Sequence, residues 1–312
     1  MLKHSVEKAV EYGRQYLNQG KVATYIPEIG KADRDALGMC VRTLDGEVIQ
    51  CGDCDTRFTM QSCSKVVTLI AALEKAGFEE VFSHVMMEPS GDSFNSIIKL
   101  DIASNKPFNP MINAGAIAVI SLLISRMSFD ELTDYARELC MDKEIELDQD
   151  VYHSEADTGN RNRAIGYLLK SKNVLEGSVD ATLDYYFRCC SLKVNAVSLA
   201  NLAAILANGG VNPITGKRIV DSKVVRTVKT LMFTFGMYDG SGDFAVRVGL
   251  PAKSGVGGGI IACAEKRMGI GTYGPALDEK GNSIGGKNAL NYLSNELGLH
   301  VFNSYEDNIV NI

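Results

Sequence analysis

Apolar and charged residues alternate at helical spacing over residues 5–17, with Ser5 as the candidate N-cap and Gly20 as the stop. Tyr25-Ile26-Pro27 opens an extended segment. Residues 37–43 and 47–51 then flank Leu44-Asp45-Gly46, and an Asp-Gly pair between two apolar runs predicts a hairpin and the start of a sheet. From Ser62 to about Leu231 the pattern is almost wholly helical. It predicts helices at 66–76, 113–124, 128–140 behind the capping box Ser128-Phe129-Asp130-Glu131, 162–171, 196–207 ended by Gly209-Gly210, and 222–233. After Gly236 the period shortens. Phe244, Val246, Val248 and Leu250 alternate with smaller or polar residues and predict a strand, two more strands follow at 259–264 and 267–272, and 288–297 forms a closing helix.

The expected class is therefore α/β in the broad sense (α+β): an antiparallel sheet drawn from both chain ends that carries a helical insert. Residues 1–61 with 232–312 form the sheet part, residues 62–231 the helical part, and the whole chain one catalytic domain. No internal repeat, low-complexity tract or linker interrupts it.

Composition narrows the partners. A chain of 312 residues with 46% hydrophobic and 22% charged residues buries a sizeable core and lacks a disordered signature. The net charge of -6 and the absence of a basic cluster argue against a nucleic-acid partner. The N-terminus lacks the apolar core and cleavage site of a secretory signal, and the longest apolar run, 114–124, is too short to span a bilayer. A cytoplasmic protein without membrane contact is expected. Its eight cysteines then read as reduced thiols rather than a disulfide framework.

Candidate chemistry centres on Phe58-Thr59-Met60-Gln61-Ser62-Cys63-Ser64-Lys65-Val66-Val67, where a polar segment gives way to an apolar run. A helix starting near Ser62 puts the Ser62 hydroxyl and the Lys65 ammonium on one face, one turn apart. A desolvated lysine can take the proton that keeps a serine hydroxyl unreactive. Far along the chain, Lys253-Ser254-Gly255-Val256-Gly257-Gly258-Gly259 lets backbone pass close to a ligand and offers an N–H to a developing oxyanion. It is not a phosphate loop, because the required glycine order is absent. Ser62-x-x-Lys65 and Lys253-Ser254-Gly255 match the first and last of three signatures of penicillin-recognising serine enzymes.

With these in order, the chain resembles the glutaminase family, serine-dependent enzymes on a β-lactamase/transpeptidase-like fold. The resemblance runs through Tyr25-Ile26-Pro27, Gln61-Ser62-x-Ser64-Lys65, Asn109-Pro110-Met111-Ile112-Asn113-Ala114-Gly115-Ala116, Gly159-Asn160-Arg161-Asn162, Gly236-Met237-Tyr238-Asp239, Pro251-Ala252-Lys253-Ser254-Gly255-Val256 and Leu277-Asp278-x-x-Gly281-Asn282-Ser283. It implies Ser62 as the acylated nucleophile and Lys65 as its base partner, with Tyr186 and Tyr238 beside them assisting proton transfer. The N–H groups of Ser62 and Val256 would form the oxyanion hole. Glu155 would take the substrate's α-ammonium, and Tyr25, Gln61, Asn113 and Asn162 its α-carboxylate and amide. Which of Lys65, Tyr186 and Tyr238 is the base in each half-reaction stays open.

The implied activity is hydrolysis of L-glutamine to L-glutamate and ammonia through a γ-glutamyl-serine, with no metal or cofactor, in a homo-oligomer, dimer or tetramer. The residue types agree, because a zwitterionic substrate needs a buried site for an ammonium and a carboxylate at once. Two positions depart from the family's usual pattern: Asn160 stands before Arg161 where an acid is common, and Cys63 where an aliphatic residue is common. Alternative readings are a penicillin-recognising serine hydrolase and a non-catalytic amino-acid binding protein. Cys51-Gly52-Asp53-Cys54 has redox or metal spacing but no second pair, so strand-end residues are expected. The isolated histidines, His153 among them, do not suggest a triad with Ser62.

Overall fold

A computed structural model of the chain describes residues 1–89 and 105–303. Helix α1 (Leu2–Arg14) leads into the hairpin strands β1 (Gly38–Thr43) and β2 (Val48–Gly52) and the short strand β3 (Phe58–Thr59). The helical stretch holds α2 (Ser64–Lys75), α3 (Phe78–His84), α4 (Asn113–Leu123), α5 (Phe129–Cys140), α6 (Gln149–Thr158), α7 (Asn160–Ser171) and α8 (Val179–Cys190). Strand β4 (Lys193–Val194) pairs with β3, and α9 (Ala196–Ala207) and α10 (Ser222–Phe235) follow. The chain closes with α11 (Ser241–Arg247), β5 (Ala252–Ser254), β6 (Gly259–Ala264), β7 (Met268–Tyr273) and α12 (Ile284–Leu297).

Five strands form one antiparallel sheet in the order β2-β1-β7-β6-β5. The N-terminal hairpin thus pairs with the last strand, Val41 lying opposite Ile270. One face of the sheet is covered by α1 and α12, whose Val6, Val10, Leu290 and Leu293 bury against Val41 and Ile270. The other face is covered by α9, an alanine- and leucine-rich helix buried almost throughout. Its backbone approaches β7 so closely that a Cβ at Gly271 would lie 2.1 Å from the Ala196 carbonyl oxygen. Beyond α9 the helical stretch builds a second, larger apolar cluster of which α2 and α4 are the most buried members.

Three expectations need correction. Residues 244–250 are not a strand: α11 spans Ser241–Arg247, because Phe244 and Val248 are four apart on one buried helix face. Val246, read as an alternating core position, is 79% exposed. Lys253 accordingly lies within β5 rather than after an earlier strand. Ser5 does not cap α1; the helix begins at Leu2, Ser5 is buried inside it, and its N–H bonds the Met1 carbonyl. The Asp-Gly hairpin, the capping box at Ser128 and the helices starting near residues 64, 113, 196 and 222 stand as expected. Helices α3, α6 and α8 lie outside the elements the sequence pattern predicts.

Candidate active site

The sharp entry to α2 comes from a short 3₁₀ turn, Gln61–Cys63, that carries Ser62. Gln61 sits at φ 47°, in the left-handed region where a side chain is strained by roughly 1 to 3 kcal/mol. Three contacts hold it there. Its carbonyl accepts from Ser64 Oγ at 2.7 Å, and its Nε2 donates to Glu155 Oε2 at 3.1 Å and to Thr59 Oγ1 at 3.3 Å. The turn presents Ser62, 6% exposed, to Lys65, 1% exposed and one helical turn further on. Lys65 Nζ donates to Ser62 Oγ at 2.7 Å and to Asn113 Oδ1 at 2.9 Å.

Asn113 is the first residue of α4, yet its side chain does not cap that helix. It links Lys65 to Asn162, near the start of α7, by donating Nδ2 to Asn162 Oδ1 at 3.0 Å. Glu155 is the buried carboxylate of α6, reached on the face shared with Val151. Tyr186, on α8, brings its ring centroid to 5.8 Å from Lys65 Nζ. Tyr25 is 57% exposed at the edge of this group, within the field of Glu155, Tyr186 and Tyr238.

The far wall comes from the C-terminal part of the chain. Tyr238 follows α10 in a 3₁₀ turn at φ 53°, a second strained position, and Val256 lies between β5 and β6. Both side chains join one small apolar cluster with Val151 of α6. The glycines on either side of Val256 let this loop lie against the Ser62 turn: a Cβ at Gly255 would meet the Met60 carbonyl oxygen at 2.7 Å, and one at Gly257 the Thr59 carbonyl oxygen at 2.5 Å. Among the described residues the Val256 N–H donates to no backbone carbonyl.

Burial sets the electrostatics. Desolvation pushes the Lys65 ammonium down to about 8, opposed by the nearby Cys190, Glu155 and Cys63. It pushes the Glu155 carboxyl up to about 7, opposed by the hydrogen bond from Gln61 and by Lys65. The phenols of Tyr186 and Tyr238 lie well above their ordinary value, again from burial; a hydrogen bond with Ser62 partly offsets the shift at Tyr238. A weakened lysine base bonded to a serine, beside one carboxylate and several neutral amides and phenols, can deliver a serine nucleophile to a zwitterionic substrate.

All ten residues singled out from the sequence come to this one place, from segments spread between Tyr25 and Val256. A further buried group was outside that set: Lys253, 0% exposed, with its Nζ 4.3 Å from the Tyr238 ring centroid. Its signal was present in Lys253-Ser254-Gly255. Cys190, beside Tyr186 on α8, carried no signal in the sequence. His153 is exposed on α6, and all eight cysteines are free, with Cys54 Sγ 3.2 Å from the Cys51 carbonyl oxygen. Among the described residues no cluster of three histidine, cysteine or acidic groups could hold a metal, and no helix is long and apolar enough to cross a membrane.

Comparison with known proteins identifies the assembly. The Glutaminase family model matches residues 20–302. Glutaminase 2 of Clostridium perfringens is 50% identical over 305 residues, covering 96% of this chain and 100% of its own, and a glutaminase of Clostridium botulinum is 51% identical over 297 residues, covering 94% and 97%. Among solved structures, a Bacillus glutaminase studied in 4.3 M NaCl superimposes with a TM-score of 0.89 at 39% identity, covering 96% of this chain and 99% of its own. The covalent complex of a Bacillus subtilis glutaminase with 5-oxo-L-norleucine, formed by reaction with 6-diazo-5-oxo-L-norleucine, gives 0.87 at 38% identity, covering 95% and 98%. With its family model matched over most of its length and relatives at half identity end to end, the chain belongs to the glutaminase family.

Proposed function

We propose that this glutaminase hydrolyses L-glutamine to L-glutamate and ammonia through a γ-glutamyl ester on Ser62. The observation that carries the reading is the 2.7 Å hydrogen bond between Lys65 and Ser62, buried on both sides. As the Ser62 oxygen bonds to the side-chain amide carbon, its proton passes to neutral Lys65. The N–H groups of Ser62 and Val256 hold the oxyanion. The C–N bond then breaks and the departing nitrogen takes a proton from Lys65 or Tyr238, leaving as ammonia. Water attacks the ester, gives its proton to the same base, and glutamate leaves as Ser62 regains its hydrogen. Tyr186 assists these transfers beside Lys65. Glu155 receives the α-ammonium, and Tyr25, Gln61, Asn113 and Asn162 the α-carboxylate and amide.

The same reading takes the architecture as β-lactamase/transpeptidase-like, a single catalytic domain whose sheet part and helical part meet at the site. It takes the working form as a cytoplasmic homo-oligomer, dimer or tetramer. No metal or cofactor enters any step.

The test is release of ammonia and glutamate from L-glutamine by the purified protein, with L-asparagine and the Ser62→Ala variant alongside. Release that favours glutamine and falls by at least ~10⁴-fold in the variant is expected. Treatment with 6-diazo-5-oxo-L-norleucine should add its carbon skeleton to the Ser62 peptide in a mass spectrum. A label elsewhere, or full turnover by Ser62→Ala, overturns the assignment.

A further inference from the structure

Lys253 is a buried amine that the proposed chemistry leaves unused. Among the described residues no carboxylate pairs with it. Its Nζ donates instead to two backbone carbonyls, Gly236 at 3.1 Å and Ser254 at 2.5 Å. Those carbonyls belong to the two segments that form the far wall of the site. Gly236 lies two residues before Tyr238, and Ser254 two residues before Val256. The Gly236 carbonyl accepts a second bond, from the Ser254 N–H at 3.1 Å.

The turn at Gly236 also presses on β5: a Cβ there would stand 1.7 Å from the Ala252 carbonyl oxygen. Above the clamp, the Tyr238 ring covers Lys253 with its centroid 4.3 Å from Nζ. Tyr238 itself is held at φ 53°, a conformation that a tyrosine keeps only when its surroundings over-determine it. An apolar side chain in place of Lys253 would fill the space and would leave the Gly236 carbonyl its bond to Ser254. An amine here is therefore poorly explained by packing alone, since a buried unpaired charge is costly and a buried neutral amine is still less favourable than a hydrocarbon.

We propose that Lys253 is a positioning residue that acts through Tyr238: by bridging Gly236 and Ser254 beneath the ring, it holds the strained turn so that the Tyr238 hydroxyl stays on Ser62. This rests on the role given to Tyr238 under the proposed function. If that hydroxyl protonates the departing nitrogen, Lys253 matters for leaving groups that need a proton and little for those that do not.

The experiment is a double-mutant cycle of Lys253→Met and Tyr238→Phe, read on L-glutamine and on an activated γ-glutamyl aryl ester. Lys253→Met should lower kcat on glutamine by ~10²-fold with KM within about 3-fold, and lower the ester rate by less than ~5-fold. In the Tyr238→Phe background the same change should have almost no further effect, because the group it positions is gone. A merely structural lysine would lower both substrates alike and add its loss to that of Tyr238→Phe; either result overturns the proposal. If Tyr238→Phe is slow while Lys253→Met turns over at the wild-type rate, only the role of Lys253 fails. Full turnover by Tyr238→Phe removes the role of Tyr238 and with it this inference. Should Lys253→Met not fold, Lys253→Gln, whose amide still donates to one carbonyl, takes its place in the cycle, and an intermediate loss on glutamine alone is expected.

Discussion

Glu155 and Lys65 are shifted toward each other by the same cause, burial, and as pH rises the two titrations act on turnover in one direction. Under the proposed roles, the form of Glu155 that would receive an ammonium accumulates as pH rises through about 7, and the form of Lys65 that would accept a proton as pH rises through about 8. Since kcat/KM reports groups of the free enzyme, it should climb between pH 6 and pH 9 on glutamine. Replacing Glu155 by Gln should raise KM by about 10²-fold, the loss of a charged hydrogen bond. It should also move the ascending limb of kcat to lower pH, because the carboxylate helps to hold the proton on Lys65. Stability runs the other way. A carboxyl whose folded value is raised contributes stability below its ordinary value near 4.5 and loses it as pH rises through about 7. Glu155→Gln should therefore stabilise the fold at pH 8.5 by on the order of 3 kcal/mol at most, read as a higher melting temperature, and change stability far less at pH 5. An equal shift at both pH values would count against burial as the cause.

The sheet packs against elements that approach it without side chains between them. Helix α9 lies on β7 because Gly271 leaves room for the helix backbone, with the Ala196 carbonyl oxygen 2.1 Å from where a Cβ would be. Gly271→Ala should force the helix off the sheet, lower stability by about 3 kcal/mol or more in urea unfolding, or prevent folding. Gly242 offers the contrast, being exposed on α11 with nothing near its missing Cβ. Gly242→Ala should stabilise by about 0.5 to 1 kcal/mol through helix propensity alone. At the start of α5, the reciprocal bonds between Ser128 and Glu131 form a capping box, and Ser128→Ala should cost about 1 kcal/mol. Thermal shift on the three variants checks the order. These elements were unequally legible. The capping box and the Asp-Gly hairpin carry local signals that tertiary contacts left in place. The stretch around Phe244 satisfied two periods at once, and packing of Phe244 and Val248 on one side decided for the helix. Helix α6 is not legible in the sequence, because only Val151 and Glu155 of its ten residues are buried and no apolar period announces it.

Both ends of the chain meet in the sheet of the whole molecule, β1 against β7 and α1 against α12. No N-terminal fragment can therefore complete the first core. Truncation before Ile284 should expose Val6, Val10, Val41 and Ile270 together and yield a chain without a cooperative transition, seen as loss of near-ultraviolet circular dichroism. The sequence by itself determined a great deal: the mixed class, the sheet from both ends, the Ser62-x-x-Lys65 spacing and the residue types a glutamine pocket needs. It could do so because helix period, turn chemistry and a motif of three-residue spacing are local properties. Tertiary structure alone decided that Gln61 and Tyr238 are strained, that Lys65 has lost part of its basicity, and that Glu155 faces inward. It alone set Lys253 beneath the Tyr238 ring. Those facts depend on burial and on contacts between segments far apart in the chain, and neither is written in any window of neighbouring residues.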